Sequence, residues 1–173
     1  MARIVIVQGS LSTHSKTAVV VAETERILRT RNADFETLDL RSLDLQFCDG
    51  RAIQDYNADM RGAYRLMESA DGFIFGMPVY CWSVSGVVKN LIDITAGAME
   101  NKAAGLLCNA GGTKSFLASS DLVKILSFES GVLTVHPIVY SCSDDFEDGQ
   151  LTEPKVLLKI ETMVDALLKI LTT

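Results

Sequence analysis

Three stretches of this sequence hold residue types able to bind a ligand. The first is QGSLSTHSKT (8–17), where Ser10, Ser12, Thr13, Ser15 and Thr17 surround Lys16 and follow Gly9. Hydroxyls donate to phosphate oxygens without a charge of their own, and Lys16 adds one. If the stretch opens a helix, the free N–H groups and partial positive charge of that end add attraction for an anion. The same residues serve equally well as a plain helix cap, through Thr13 or Ser15. The spacing matches neither GxxxxGK[ST] nor GxGxxG, which argues against a nucleoside triphosphate or a dinucleotide in this loop.

The second stretch is GMPVYCWSVSGVVKNLID (76–93). Pro78 fixes φ and removes a donor, which stiffens a turn. Val79, Tyr80 and Trp82 supply apolar and aromatic surface for a flat ligand. Ser83 and Ser85 are capping candidates for the helix that follows, and Cys81 is the thiol nearest such a pocket. The third stretch is CNAGGTKS (108–115). Here Gly111 and Gly112 let the backbone approach a ligand, and Asn109, Thr113 and Ser115 can hydrogen-bond to one. Each stretch has a bland reading as well: a cap, a packed aromatic turn, a tight strand-to-helix turn. His14 reads as a solvated loop histidine, His136 as structural, Cys108 as a small core hydrophobe, and the acidic run 143–149 as a solvated loop.

The elements around these stretches alternate. Apolar runs at 3–8, 34–40, 71–76, 102–112 and 132–141 read as five strands, the last broken or at an edge because of Pro137. Helical spacing appears at 15–31, 58–70, 84–98, 119–130 and 154–173, with Val20, Ile27 and Leu28 on the core face of the first and Pro154 at the first turn of the last. Residues 41–58 look irregular. Strands alternating with helices imply an α/β domain with a parallel sheet covered on both faces. In such sheets ligands bind outside the carboxyl ends of the strands, where the strand order reverses. The three stretches follow the first, third and fourth strands, so the topology brings them to one edge. No linker or repeat divides the chain, and residues 1–173 read as one domain.

Composition narrows the function. The 173 residues carry a net charge of −6 and no cluster of Lys and Arg, so a nucleic-acid partner is not expected. No apolar run is long enough to span a membrane, and the run after MAR is too short for a signal-peptide core. Four cysteines without CxxC spacing, and only two histidines, argue against a structural metal. Free thiols suit a reducing compartment, so the cytoplasm is the expected location.

Taken together, GSLSTHSKT, PVYCWSVSGVVKNLID and NAGG resemble the NADPH-dependent FMN reductase family across most of the chain. The middle motif is the specific one. Many members carry an Arg where this chain has Ser12. The resemblance implies a flavodoxin-like three-layer sandwich with a five-stranded parallel sheet in the order 2-1-3-4-5. It implies non-covalent FMN, with Ser10, Ser15, Lys16 and Thr17 near the phosphate. Pro78, Val79, Tyr80, Cys81 and Ser83 would border the ring and ribityl chain, and Asn109, Gly111 and Gly112 the pyrimidine edge. It further implies NAD(P)H as electron donor and a flavin, quinone or azo acceptor, served in turn at one place without a protein acid or base. A homodimer or homotetramer is implied too, with Trp82 and residues 41–58 as candidate interface. The alternative is an FMN-binding electron carrier that does not turn over NAD(P)H.

Overall fold

The computed structural model describes residues 2–172 of the chain; Met1 and Thr173, included in the expected domain and in the last expected helix, lie outside them. The β-branched run Arg3–Gln8 forms β1. It enters α1 (Lys16–Thr30), which returns to β2 (Asp34–Asp39). After an irregular segment come α2 (Ala58–Ser69), β3 (Gly72–Tyr80), the two-residue β4 (Ser83–Val84) and α3 (Gly86–Thr95). Next are β5 (Ala103–Asn109), α4 (Ala118–Ser130), β6 (Leu133–Thr134) and β7 (Val139–Ser141). A small hairpin of β8 (Phe146–Glu147) and β9 (Gln150–Leu151) precedes α5 (Pro154–Leu171).

The main sheet runs β2-β1-β3-β5-β6, with β7 also pairing β5 and β4 pairing β3. This is the expected order, with two differences. The expected fifth strand is split, because Pro137 falls in the gap between β6 and β7 and cannot donate to the ladder. The sheet therefore has seven strands, and β4 is antiparallel to β3. The third strand is also longer than its apolar run suggested. It continues through Pro78, which lies opposite Asn109, so that Pro78, Val79 and Tyr80 belong to the sheet and not to a turn.

Alternation along the strands divides the core into two layers. Val5, Val7, Phe73 and Phe75 pack with α2, α3 and α4 through Met60, Leu91 and Leu122. Ile4, Ile6 and Ile74 pack with α1 and α5 through Leu28 and Ile160. Helices thus cover both faces, as a largely parallel sheet requires. Close approach is decisive at Gly105, where a Cβ would sit 2.1 Å from the Met163 sulfur and push α5 off the sheet. Among the described residues no helix is long and apolar enough to cross a membrane.

Candidate active site at the carboxyl edge of the sheet

The order reverses between β1 and β3, and the loops after β1, β3 and β5 meet there. They enclose an open cavity of about 230 Å³. Ser10, Ser15, Lys16 and Thr17 line it from the first loop, Pro78, Val79 and Tyr80 from β3, and Asn109 and Gly111 from the end of β5. Ser12, His14, Ala110 and Ser143 complete the lining. Three of the expected residues lie elsewhere. Gly112 lines a neighbouring recess. Cys81 is exposed at the tip of the hairpin and outside the cavity lining. The Ser83 hydroxyl turns to α4 and donates to Asp121 Oδ2 at 2.8 Å.

The first loop is held by a residue that sequence reasoning passed over. Gln8 closes β1 and is 2% exposed. Its Oε1 accepts from the Ser10 N–H at 2.8 Å, and its Nε2 donates to the Ser10 carbonyl at 2.9 Å and to Asp39 Oδ1 at 3.0 Å. One amide therefore fixes both backbone groups of Ser10. Asp39, in turn, accepts from Arg41 Nε at 3.0 Å. The Arg41 guanidinium, helped by Gln8, holds the Asp39 carboxyl below its ordinary pKa despite partial burial. A buried amide placed directly before a hydroxyl-rich loop was the available signal. Its partner Asp39 lies 31 residues away, which no local pattern reveals.

The capping reading of the first loop holds, and it leaves the helix end open to an anion. Ser15 is the N-cap of α1, its Oγ accepting from the Ala18 N–H at 3.0 Å. The N–H groups of Lys16 and Thr17 have no carbonyl within the helix to meet, so this end remains an anion-attracting one. No acid occupies the first turn of α1. Although the chain carries −6, the cavity lining contains no carboxylate among the described residues. Lys16 Nζ sits 5.2 Å from the Phe146 ring centroid and 3.4 Å from the Ser143 carbonyl. The expected solvated loop at 143–149 is therefore corrected: it folds into a turn and the β8–β9 hairpin and supplies a wall of the site. That contact spans 127 residues and left no signal in the local sequence.

The glycine loop is set from β7. The Tyr140 hydroxyl donates to the Gly112 carbonyl and lies 3.0 Å from Ser115 Oγ. Asn109 Nδ2 donates to the buried Ser141 Oγ at 2.9 Å. A Cβ on Gly111 or Gly112 would meet nothing within 4 Å, and neither residue has a positive φ. Neither packing nor backbone conformation demands glycine here, so the bare backbone fits a surface that a ligand approaches. Elsewhere, burial pushes the Cys108 thiol up to about 12, which makes it an inert core residue as expected.

Two hairpin residues carry left-handed backbone. Tyr80 pairs with Ser83, and the residues between them, Cys81 and Trp82, have φ of 49° and 64°. This is the arrangement of a two-residue type I′ turn. β4 follows directly, so α3 begins at Gly86, two residues later than its expected start. Ser85 takes the N-cap position, although its side chain makes no capping bond. Asn90 also faces inward: its Oδ1 accepts from the Cys48 N–H at 2.8 Å and its Nδ2 donates to the Gln46 carbonyl at 2.9 Å, which ties down the irregular segment after β2.

A parallel sheet whose order reverses beside a hydroxyl-lined cavity defines a flavodoxin-like binding fold. Residues 2–147 match the model of the NADPH-dependent FMN reductase family, and the chain belongs to that family. It is an oxidoreductase of the FMN-dependent, NAD(P)H-linked type. It is 31% identical over 139 residues to an NAD(P)H-dependent FAD/FMN reductase of Geobacillus thermodenitrificans, covering 79% of this chain and 74% of that one. It is 27% identical over 169 residues to an FMN-dependent NADPH-azoreductase of Staphylococcus aureus, covering 92% and 90%. An NADH:FMN oxidoreductase in its apo form superposes with a TM-score of 0.78 at 25% identity, over 96% of this chain and 90% of that one.

Proposed function

We propose that the chain is a single flavodoxin-like domain that passes electrons from NAD(P)H through FMN to a flavin, quinone or azo acceptor, donor and acceptor occupying the same place in turn. The observation that carries this is the cavity at the switch point, where a helix N-terminus, hydroxyls and Lys16 meet a bare glycine loop with no carboxylate, among the described residues, in the lining. Bound FMN would supply the redox chemistry, taking a hydride from the nicotinamide and giving two electrons to the acceptor.

The residues divide the remaining work. Ser10, Ser15, Lys16 and Thr17 would hold the phosphate, a cluster of neutral donors with one cation. Ser12 and His14 stand in the same lining. Pro78, Val79 and Tyr80 would form the wall beside the ring. Asn109, Gly111 and Gly112 would face its polar edge, where backbone N–H groups can oppose negative charge. Cys81 and Ser83 would act through the hairpin that carries Tyr80.

We place the protein in the cytoplasm, where its free thiols stay reduced. We infer a homodimer or homotetramer, built through exposed apolar side chains such as Phe47, Phe116 and Leu117. Light scattering of the purified protein gives the assembly.

Titration with FMN, followed by flavin fluorescence, and steady-state oxidation of NADPH and NADH with a quinone test the whole reading. Quenching with saturation, and oxidation of at least one nucleotide, are expected. A flavin-loaded protein that oxidises neither nucleotide would make it an electron carrier instead.

A further inference from the structure

We propose that Trp82 selects the electron acceptor, as the flat wall of a recess that takes a planar aromatic molecule such as a quinone. The inference rests on the reductase reading above. Type I′ turns favour Asn-Gly because both central residues need positive φ. This chain puts Cys81 and Trp82 there, at φ 49° and 64°, and a bulky side chain in that region is strained. Burial does not offset the strain, because Cys81 is exposed and Trp82 is 64% exposed. The fold therefore gains nothing visible from an indole at this position.

The surroundings supply a use for it. Trp82 lines a recess of about 370 Å³ together with Gly112, Thr113, Lys114, Ser115 and Asp144. Gly112 follows Gly111 of the main cavity, so the recess adjoins the place assigned to the flavin. Gly112 presents bare backbone, a Cβ there meeting nothing within 4 Å. Thr113 and Lys114 bring a hydroxyl and an ammonium that can donate to carbonyl oxygens. An aromatic wall, bare backbone and donors at the rim match a flat ring bearing oxygen acceptors. The strand that follows the turn is tied to α4 by the Ser83–Asp121 bond at 2.8 Å, which restrains the hairpin backbone that carries the indole.

The test uses FMN-loaded full chain and its Trp82→Gly and Trp82→Phe variants. Readouts are kcat/KM for a naphthoquinone, kcat/KM for ferricyanide, the FMN dissociation constant, the solution mass and the melting temperature. In Trp82→Gly the naphthoquinone-to-ferricyanide ratio should fall at least about tenfold, mainly through KM, which corresponds to about 1.4 kcal/mol of lost discrimination. Trp82→Phe, which keeps a flat ring, should restore most of the ratio. Relief of the left-handed strain should raise the melting temperature of Trp82→Gly by about 2 to 4 °C. An unchanged ratio would overturn the proposal. A loss of FMN affinity or a drop in solution mass that accounts for the kinetic change would assign Trp82 to the cofactor or to a subunit interface, and would overturn it too. A lower melting temperature would show the indole packed against protein, and the proposal would fall with it. If the unaltered protein neither binds FMN nor turns over, the reductase reading fails and not merely the role of Trp82.

Discussion

The two ends of the proposed flavin site are built on opposite plans. At the phosphate end, β1 runs into a loop whose polar groups are tied down: Gln8 holds Ser10 by two hydrogen bonds, and Ser15 caps α1. Gly9 donates its N–H to the Gly76 carbonyl at 2.8 Å. At the other end, the Tyr80–Ser83 hairpin carries two strained residues and three exposed side chains, and its Ser83 is fixed to α4 by one bond to Asp121. A phosphate presents the same charge and shape every time, so a loop ordered in advance loses no entropy when it binds. A recess that admits different molecules gains from surface left open. On the proposed reading, the first region supplies affinity and the second the choice of partner.

Substitutions can break the contrast, starting where the first region is tightest. A Cβ at Gly9 would lie 2.3 Å from Val88 Cγ2 and 2.6 Å from the Gly76 carbonyl, and the backbone of the central strand cannot yield. Gly9→Ala should therefore cost about 3 kcal/mol or more, measured by urea unfolding. Replacing Gln8 by Leu leaves Ser10 without its amide partner and removes a donor from Asp39. It should weaken FMN at least about tenfold in fluorescence titration while changing riboflavin, which lacks the phosphate, much less. Equal losses for both flavins would mean that Gln8 supports the fold at large and not the phosphate loop. Lys16→Met should also cost FMN about tenfold and spare riboflavin, and the difference should shrink at high salt because it is a charge effect.

Smaller effects probe the tethers. Asp121→Ala frees Ser83 and should change acceptor KM by about twofold to threefold, with FMN affinity kept, in steady-state assays with two acceptors. Asp39 gives a small change in stability with a pH signature. Its folded pKa lies below the unfolded one, so its contribution is present above about pH 4 and is lost as pH falls through the lower folded value. The gap in melting temperature between the native protein and Asp39→Asn should thus be constant from pH 7 to 5 and close below about pH 4. Because the carboxylate is only partly buried, that gap is worth no more than about 1 kcal/mol.

Much of the architecture was legible because its signals are local. Alternating apolar runs and helical spacing placed β1, α1, β2 and α2 within a residue or two, and Pro154 and Gly131 marked helix ends where the structure has them. The third strand was under-read. Its apolar run meets a proline, and only pairing with Asn109 across the sheet shows that Pro78 still belongs to the ladder. The hairpin was missed because Cys-Trp is a poor type I′ pair by composition, and tertiary ties override that preference.

The candidate site was legible as three loops and not as a set of contacts. Residue types put Ser10, Ser15, Lys16 and Thr17 together on one short loop, where adjacency needs no fold. Ser83 was misplaced because its direction depends on Asp121, 38 residues on. Ser143 could not be found as a lining residue, nor Tyr140 and Ser141 as supports of the glycine loop, since β7 and the turn after it come to this edge only when β7 pairs with β5.

By itself the sequence determined the alternation of strands and helices, the family and the loops proposed to carry the chemistry, because periodicity and short motifs are properties of neighbouring residues. Only the tertiary structure decided that Asp39 holds the Gln8 amide that locks Ser10, that β7 shapes the glycine loop and that Trp82 is left exposed on strained backbone. Those outcomes depend on which strands become neighbours and how the helices pack across them, and residues 30 to 130 positions apart meet only when that arrangement is complete.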